Sequence, residues 1–410
     1  MPSQGGIAVI GAGLAGLSCA LQLSRAGYAV TVYEAAGHAG GRCRSFFDRT
    51  LQRTIDNGAH LMLGANRALD AYVRSIDAGA HLNFHPPSFA FFDIGPDALR
   101  MVGVRFGGFP AGIIPDGFRL LLSPRDATVS GRLSKSRLFA PLWRPLSESV
   151  LNTPPEEASA ALLSRVLRLV LAGGAKAARP RLAAHGLGPA LIDPAVCALE
   201  RSGCMLRYHQ RLRGLQNGHP VFDGTEKTHA ATVLALPHHE TRRLLPELPE
   251  IPSHCIVNAH FRLDAPVRLP RDVPFLGLTG GTAHWLFARD DVLSVTVSAA
   301  DALSACSNDE IAALLWDDAS RALGLNASRL PMVRPSVRPL VRIVRERRAT
   351  IAQTPDTLRL RPEPGFYRDS LYLAGDWTDT ALPCTIEGAI VSGEKAARAV
   401  MKNIAPDTGR

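Results

Sequence analysis

The chain has 410 residues, a length that a soft prior of roughly 150 residues per domain divides into two or three domains, and we expect two. Hydrophobic residues make up 46% and charged residues 20%, which excludes a disordered chain, a collagen and a small disulfide-stapled fold. The net charge of +9 comes mostly from Arg, but no basic run is interleaved with aromatics and aromatic residues are only 6%, so we expect no nucleic-acid partner.

The 7 cysteines are scattered, without any Cys-x-x-Cys pair. This pattern indicates neither a disulfide framework nor a zinc site, and we expect no metal. A reducing, cytoplasmic location fits it. No stretch reaches about 18 uninterrupted apolar residues, so the sequence predicts no membrane-spanning helix.

The first predicted elements are a strand, a glycine turn with the sequence Gly11-Ala12-Gly13-Leu14-Ala15-Gly16, and a helix. Residues 7–10 are a short β-branched run, and residues 17–26 have a helical pattern. In such a turn the first glycine permits the bend, the second admits a pyrophosphate, and the third brings the helix close to the strand. The helix N-terminus then directs its N–H groups at the phosphates. The predicted cofactor contacts are Gly11, Gly13, Leu14, Ala15 and Gly16.

A second strand is predicted at residues 29–33, directly before Glu34. An acid at this position binds the hydroxyl pair of a ribose and repels a 2′-phosphate, so the expected cofactor is FAD or NAD rather than NADP. Ala35 adjoins it as a further predicted contact. Strand, glycine turn, helix, strand and acid together predict a Rossmann-like dinucleotide-binding domain of the α/β class.

Two further blocks carry a family resemblance. Gly40-Gly41-Arg42 follows Glu34 with five residues between, and Ile55-Asp56-Asn57-Gly58-Ala59-His60 comes next. With the glycine turn, these blocks resemble the signatures of the flavin amine oxidase and phytoene desaturase superfamily. The resemblance implies FAD as the cofactor. It also implies that Gly41 admits FAD, that Arg42 approaches its phosphates, and that Gly58 and Ala59 pass under the isoalloxazine ring.

The far end of the chain resembles the same superfamily. Residues 371–374 are predicted to be a buried strand that leads into Gly375-Asp376, and a helical run at residues 390–401 follows. The resemblance places Gly375 and the Asp376 carboxylate at the ribityl or pyrophosphate part of FAD. It places a helix start, at Thr385, Ile386 and Ala389, near the O2 and N1 edge of the flavin. Such a start stabilises negative charge on reduced flavin.

A segment in the middle of the chain is also predicted to belong to the FAD-binding domain. Residues 186–201, 205–215 and 231–237 resemble the second flavin-domain segment, and the resemblance implies that Leu212 presents its backbone to the adenine. We therefore predict a discontinuous FAD-binding domain at residues 1–75, 186–252 and 365–410. An inserted α+β substrate domain with a mixed sheet is predicted at residues 76–185 and 256–364. Its second piece contains predicted strands at 253–263, 275–278, 283–287 and 292–298, and a helix at 308–323 capped by Asn308.

An apolar stretch, broken by Gly and Pro, runs through residues 101–122. It is too interrupted to span a bilayer, but an apolar segment with cations at its edge is typical of insertion into one leaflet. Residues 100–137 are therefore a candidate membrane-contacting segment, with internal strands and a core helix as the alternative. The expected location is cytoplasmic, and peripheral contact with the inner face of the cell membrane is left open. The flanking cations are Arg119, Arg125, Arg132, Lys135 and Arg137.

A narrower resemblance covers nearly the whole chain. Residues 56–65, 151–159 and 277–287 are similar to segments of the squalene-associated FAD-dependent desaturases, the hydroxysqualene dehydroxylases of bacterial hopanoid synthesis. The chain departs from that pattern at Ala59 and His284, where Gln is expected. The resemblance implies an FAD-dependent oxidoreductase that removes the allylic hydroxyl of hydroxysqualene, a small-molecule isoprenoid, to give squalene.

This reaction needs an acid near the flavin. Loss of the hydroxyl group from an allylic carbon yields a delocalised cation, provided that an acid protonates the oxygen and a hydride is held at flavin N5. A dry apolar tunnel would protect the cation from water. The candidate acids are His60, which comes first because it lies in the flavin-proximal block, and then Asp56 and His284.

Other functions stay open. A carotenoid desaturase of the phytoene type would use the same flavin and cavity. A flavin amine oxidase is less favoured, because these enzymes often rely on a Lys near flavin N5 and the chain has none between Lys227 and Lys395. A non-catalytic flavin-binding scaffold is a third alternative. The sequence contains one dinucleotide fingerprint, so an electron-donating reductase and direct contact with NADPH are both open as the source of electrons.

Overall fold

The structure is a computed structural model that describes residues 5–103, 112–223, 225–325 and 339–406. Within these ranges the strands are, in chain order, β1 (Ile7–Ile10), β2 (Val30–Tyr33), β3 (Ser45–Asp48), β4 (Arg53–Asp56), β5 (Met62–Leu63), β6 (Leu82–Phe84), β7 (Ser88–Asp93), β8 (Ala98–Gly103), β9 (Pro180–Ala183), β10 (Met205–Arg207), β11 (Gly214–Gln216), β12 (His219–Phe222), β13 (Thr225–Glu226), β14 (Ala231–Leu234), β15 (Ser253–Arg262), β16 (Phe275–Thr279), β17 (Trp285–Arg289), β18 (Val292–Val297), β19 (Leu340–Ile351), β20 (Gly365–Arg368) and β21 (Leu371–Leu373). The α-helices of the same ranges are α1 (Leu14–Arg25), α2 (Arg67–Ser75), α3 (Ile113–Leu121), α4 (Val129–Leu133), α5 (Arg144–Leu151), α6 (Ala160–Ala177), α7 (Asp193–Arg201), α8 (His238–Leu244), α9 (Asn308–Ala322), α10 (Pro355–Leu360) and α11 (Ile386–Asn403).

A six-stranded sheet is built from strands near both ends and in the middle of the chain. Its order is β10-β2-β1-β14-β21-β20, and neighbouring strands are parallel except for β20 and β21. All residues of β1 are buried, as expected of a parallel strand that is covered on both faces. The predicted α/β fold is confirmed. The sheet takes strands from all three predicted FAD-binding segments, and the domain limits themselves stay a prediction.

Helices α1, α2, α7 and α11 cover one face of this sheet. Helices α1 and α11 cross closely, because a Cβ on Gly393 would come within 2.1 Å of the Ala15 carbonyl oxygen. The hydroxyl of Ser18 in α1 also donates a hydrogen bond to the carbonyl of Ile390 in α11, at 3.1 Å. The glycine turn and the start of α11 are thereby held on one side of the sheet.

A second, mixed sheet has the order β19-β15-β18-β17-β16-β7-β8. Strands β16 and β7 are parallel, and the other neighbours are antiparallel. Along β15 the residues alternate between the two faces. Val257, Ala259 and Phe261 pack in a core beneath α9, whereas Asn258 and His260 are buried on the opposite face. This is the mixed sheet predicted for the inserted domain.

Helices α3 to α6 cover that opposite face. Their apolar side chains and those of the sheet form what we name the inner apolar cluster, whose buried members include Phe91, Leu120, Leu133, Leu151, Leu162, Phe275 and Trp285. Leu61, the residue after His60, packs at its edge. The inner apolar cluster is therefore continuous with the predicted flavin-proximal block.

The described residues include part of the predicted membrane-contacting segment, residues 100–137. Its residues 104–111 lie outside the described residues, and β8 and α3 flank them. In the part of the chain that the structure describes, no helix has the length and apolar character needed to cross a bilayer.

Candidate active site

The three glycines of the glycine turn meet different surroundings. Gly11 has a φ of 104°, and a Cβ there would lie 2.6 Å from the Ala235 carbonyl oxygen. A Cβ on Gly16 would lie 1.9 Å from the carbonyl oxygen of Gly11. A Cβ on Gly13 would meet nothing within 4 Å. Gly11 and Gly16 are thus required by the protein itself, whereas Gly13 borders open space at the start of α1, which fits the approach of a phosphate group.

Glu34 lies at the end of β2 with its carboxylate turned towards the glycine turn. Its Oε2 accepts a hydrogen bond from the N–H of Ala12, and its Oε1 accepts one from the N–H of Ala36, both at 2.8 Å. Ala35 is exposed beside it, and Leu14 and Ala15 begin α1. The structure therefore brings the predicted ribose and phosphate contacts together at one edge of the sheet.

The Gly-Gly-Arg block lies between the glycine turn and the C-terminal segment. A Cβ on Gly41 would lie 3.5 Å from the Cα of Gly13. Arg42 pairs with Asp376 at 2.7 Å, and the Asp376 side chain is only 8% exposed. This ion pair joins two predicted cofactor contacts that are far apart in the sequence.

A cavity of about 330 Å³ opens where Arg42 and Asp376 meet. Arg42, Arg242 and Arg348 line it against the acids Glu250 and Asp376, and two histidines lie beside them. The excess of guanidinium groups suits the negative pyrophosphate of a dinucleotide. Arg242 and Arg348 belong to no sequence motif, so the sequence does not predict their place in this cavity.

The block around Gly58 is held by the mixed sheet. The Asn258 side-chain amide donates a hydrogen bond to the Asn57 carbonyl at 3.2 Å, and the Thr296 hydroxyl donates one to the Asn258 oxygen at 2.8 Å. A Cβ on Gly58 would lie 2.8 Å from the Asn258 nitrogen. A glycine at this position therefore serves the contact with β15 as well as the predicted flavin contact.

Ala59 and His60 are partly exposed beyond this contact. His60 Nδ1 lies 2.8 Å from the Gly58 carbonyl oxygen, and burial lowers the pKa of His60. In the neutral ring Nδ1–H donates to that carbonyl, which leaves Nε2 as a hydrogen-bond acceptor. The geometry suits His60 to accept a hydrogen bond at neutral pH rather than to supply a proton.

The Asp56 carboxylate contacts three partners within the protein. Its carboxylate pairs with Arg289 at 2.8 Å, and it accepts hydrogen bonds from the Ser45 hydroxyl at 2.5 Å and the Leu187 N–H at 2.9 Å. These contacts join β4, β17 and the loop before α7. They favour a structural role for Asp56 over the predicted proton donation.

His284 lies in the mixed-sheet region and faces Glu148 of α5. Its Nδ1 accepts a hydrogen bond from the Ser298 N–H at 3.2 Å, and its Nε2 is 3.8 Å from the Glu148 Oε2. Burial lowers the pKa of His284 to about 4 and raises the pKa of Glu148. A carboxyl group with a raised pKa holds its proton closer to neutral pH. Glu148 is thus a candidate acid that the sequence analysis missed.

The C-terminal segment presents a helix start, as the resemblance implies. Gly375 has a φ of 140°, and its N–H donates to the Ser392 hydroxyl at 2.9 Å. Thr385 is the N-cap of α11, and its hydroxyl accepts a hydrogen bond from the Gly388 N–H at 3.3 Å. Ile386 and Ala389 form the first turn. Their contacts with flavin stay a prediction.

Leu212 is buried in the same apolar cluster as Tyr33, the residue before Glu34. Its carbonyl accepts a hydrogen bond from the Arg243 guanidinium at 2.9 Å. The structure therefore brings Leu212 near the predicted ribose site, and its contact with adenine stays a prediction.

Among the described residues, no group of three or more His, Cys, Asp and Glu side chains is arranged to hold a metal ion.

The fold and the arrangement of these blocks define the class of protein, an FAD-dependent oxidoreductase. The model of the family "Flavin containing amine oxidoreductase" matches residues 14–401. The structure also resembles cyclohexylamine oxidase from Brevibacterium oxydans, with a TM-score of 0.72 and 15% identity over 98% of this chain and 99% of that one. This likeness shows the shared fold.

The particular family follows from relatives with higher identity. A hydroxysqualene dehydroxylase from Sinorhizobium fredii is 39% identical over 95% of this chain and 96% of its own length. Another, from Rhodopseudomonas palustris, is 38% identical over 96% of this chain and 97% of its own length. The zeta-carotene desaturase of Solanum lycopersicum matches only 34% of the chain, at 32% identity. The chain belongs to the hydroxysqualene dehydroxylase family, which confirms the resemblance seen in the sequence.

Proposed function

We propose that the chain reductively removes the allylic hydroxyl of hydroxysqualene to give squalene, as a step of hopanoid or related isoprenoid synthesis. The observation that carries the proposal is the contact between the flavin-proximal block and the inner apolar cluster through Leu61. An apolar region next to a flavin site suits a hydrocarbon substrate that carries a single polar group.

The reaction balances with reduced FAD as the reductant. The C–O bond breaks as the hydroxyl oxygen takes a proton and leaves as water, and the allylic carbon gains a hydride. FAD, bound in its reduced form, would supply that hydride as a two-electron reductant. Gly13 and Glu34 would hold the nucleotide end of the cofactor, and the start of α11 would lie at its flavin end. The inner apolar cluster would exclude water, and an acid of the chain would supply the proton.

Glu148 is the carboxyl group to which we assign that proton, since burial raises its pKa, although the ion pair with Arg144 opposes the rise. His284 lies on its open side, while Arg144 contacts its other oxygen at 3.2 Å. His60 suits a different task. Its Nε2 accepts a hydrogen bond, so it would orient the substrate hydroxyl from the flavin-proximal block.

The test is an anaerobic single turnover. Holoprotein is photoreduced and mixed with hydroxysqualene, the flavin absorbance is followed, and the extracted product is analysed by mass spectrometry. We expect oxidised flavin and one squalene per flavin. Reduced flavin that persists with substrate bound would support a non-catalytic scaffold and contradict the proposal. Reduction of the oxidised flavin by a phytoene-type polyene, with no reaction of hydroxysqualene, would support the desaturase alternative.

We also propose two partners, a separate electron-donating reductase and the membrane surface. Electrons reach the flavin from a separate reductase, because the one dinucleotide fingerprint of the sequence is assigned to FAD. The proposed location is cytoplasmic, with peripheral contact at the inner face of the cell membrane, since an isoprenoid of this kind partitions into lipid. Reduction of the flavin by NADPH alone, without added protein, would remove the need for the reductase.

A further inference from the structure

Helix α3 turns one apolar face outward. Ile114, Phe118 and Leu122 follow one another at four-residue spacing, which places them on one side of the helix. Their exposed fractions are 69%, 60% and 75%. Leu120, on the other side, is fully buried in the inner apolar cluster. The helix therefore has an apolar interior face and an apolar exterior face.

Helix α6 extends this exterior surface. Its Arg168 guanidinium donates a hydrogen bond to the Leu121 carbonyl at the end of α3, at 2.6 Å. Leu171, one turn further along α6, is 59% exposed. We name Ile114, Phe118, Leu122 and Leu171 the outer apolar patch. Contiguous exposed apolar side chains of this kind mark an interaction surface more often than single ones do.

The charge around the outer apolar patch is positive. Arg119, Arg125, Arg165 and Arg168 are exposed, and α6 contains no acidic residue. Between residues 112 and 137 the acids are Asp116, which is buried, and Asp126, which is exposed. Asp116 is occupied by Arg119 at 2.9 Å and by the Trp143 ring nitrogen at 2.9 Å. The surface is thus apolar at its centre and cationic at its edge.

We infer that the outer apolar patch docks on the surface of a bilayer that contains anionic lipids, with its side chains among the acyl chains and its Arg residues at the phosphates. A second copy of the chain is a poorer occupant, because two cationic rims would face each other. The docking explains the position of α3 between lipid and the inner apolar cluster. In this arrangement α3 would lie on the path of an isoprenoid from the membrane to the inner apolar cluster. This role of α3 rests on the proposed function.

The test is flotation of the FAD-loaded protein with vesicles of phosphatidylcholine alone, and with phosphatidylglycerol added. We expect binding to the anionic vesicles that weakens as salt rises. Phe118→Ser and Leu122→Ser should each weaken it by at least roughly tenfold. Phe47→Ser is the matched control, because Phe47 is 58% exposed on the β3 strand, outside this surface, and its binding should equal that of the unaltered chain.

Retained flavin absorbance and an unchanged melting temperature identify variants that are folded. Absence of vesicle binding by the unaltered chain, equal binding by folded Phe118→Ser, or an equal loss in Phe47→Ser would each overturn the inference. The inference would also be overturned if the chain formed a dimer in solution that did not bind vesicles and that dissociated in the Phe118→Ser variant. Turnover of detergent-dispersed hydroxysqualene by the unaltered chain is measured separately. Its absence would refute the proposed function and leave the docking result standing.

Discussion

Replacement of Gly13 by alanine should weaken FAD binding while leaving the fold intact. Gly13 has a φ of −77°, which alanine adopts without strain, and its Cβ would meet nothing within 4 Å. The methyl group would occupy the space through which a phosphate approaches α1. Displacement of a well-fitted group by one methyl costs about 1–3 kcal/mol. This corresponds to a Kd for FAD that is roughly 5- to 150-fold higher.

Two other glycines provide the controls. Gly16→Ala should destabilise the protein itself, because its Cβ would lie 1.9 Å from the Gly11 carbonyl oxygen and the main chain would have to move. Gly79→Ala adds a methyl group that also meets nothing within 4 Å, but outside the glycine turn, so neither FAD affinity nor stability should change much.

The assay is titration of apoprotein with FAD, followed by flavin fluorescence, with thermal unfolding of each apoprotein in parallel. We expect a raised Kd at an unchanged melting temperature for Gly13→Ala, and a lowered melting temperature for Gly16→Ala. An unaltered Kd in Gly13→Ala would refute the assignment of this glycine to the cofactor. An equal rise in Gly79→Ala would show that the effect is not local.

The other candidate residues give distinct expectations. His60→Ala should retain bound FAD and lose most turnover, and unchanged turnover would exclude it from the reaction. Glu148→Gln should lower kcat more than it changes KM, and it should lack the loss of rate that we expect of the unaltered enzyme as rising pH deprotonates this acid; a pH profile equal to that of the unaltered enzyme would contradict the assignment. Asp56→Asn should lower the free energy of unfolding by about 1–3 kcal/mol, because Arg289 loses its carboxylate; lost turnover at unchanged stability would instead restore Asp56 as the acid. Burial lowers the pKa of His260 from 6.5 to about 4. As the pH drops from 6.5 to about 4, the unfolded chain binds this proton before the folded chain does, so the free energy of unfolding should fall by about 3 kcal/mol in total. Chemical unfolding of His260→Gln should lack this part of the pH dependence.

The local motifs predicted the strand, turn, helix and strand at the start of the chain, whereas their contacts with FAD stay a prediction. The glycine turn, the strand after it and Glu34 are close in sequence, and their geometry follows from backbone rules. The strands around them were predicted within a few residues. The helix α9 shows the limit of such rules. Asn308 was the predicted cap, but Ser307 is the N-cap, and Glu310 completes a capping box with it. The Ser-x-x-Glu spacing in the sequence would have identified it.

The site contacts that the sequence motifs do not predict join distant segments. Asn258 holds the Asn57 carbonyl from a strand about which the motifs say nothing. Arg242 and Arg348 reach the Arg42 cavity from two separate segments. Such residues are ordinary strand and helix residues until the chain is folded, because their role is set by tertiary position and not by neighbours in sequence.

One buried amide connects the substrate side of the site to the flavin side. Gln353 is 0% exposed. Its Nε2 donates a hydrogen bond to the Leu151 carbonyl at the end of α5, at 2.5 Å, and its Oε1 accepts one from the Cys384 N–H at 2.8 Å. Its own N–H donates to the Thr153 hydroxyl at 2.9 Å.

Because Cys384 precedes the N-cap of α11, this amide ties the helix that carries Glu148 to the helix start assigned to the flavin edge. Proton transfer and hydride transfer must both be aligned on one substrate carbon and its hydroxyl, and misplacement by about 1 Å costs roughly a hundredfold in rate. The Gln353 link between the two helices would supply that alignment for the proposed acid Glu148 and the predicted flavin edge. The alignment that the proposed reaction needs would therefore depend on contacts between distant segments, which the local sequence motifs do not specify.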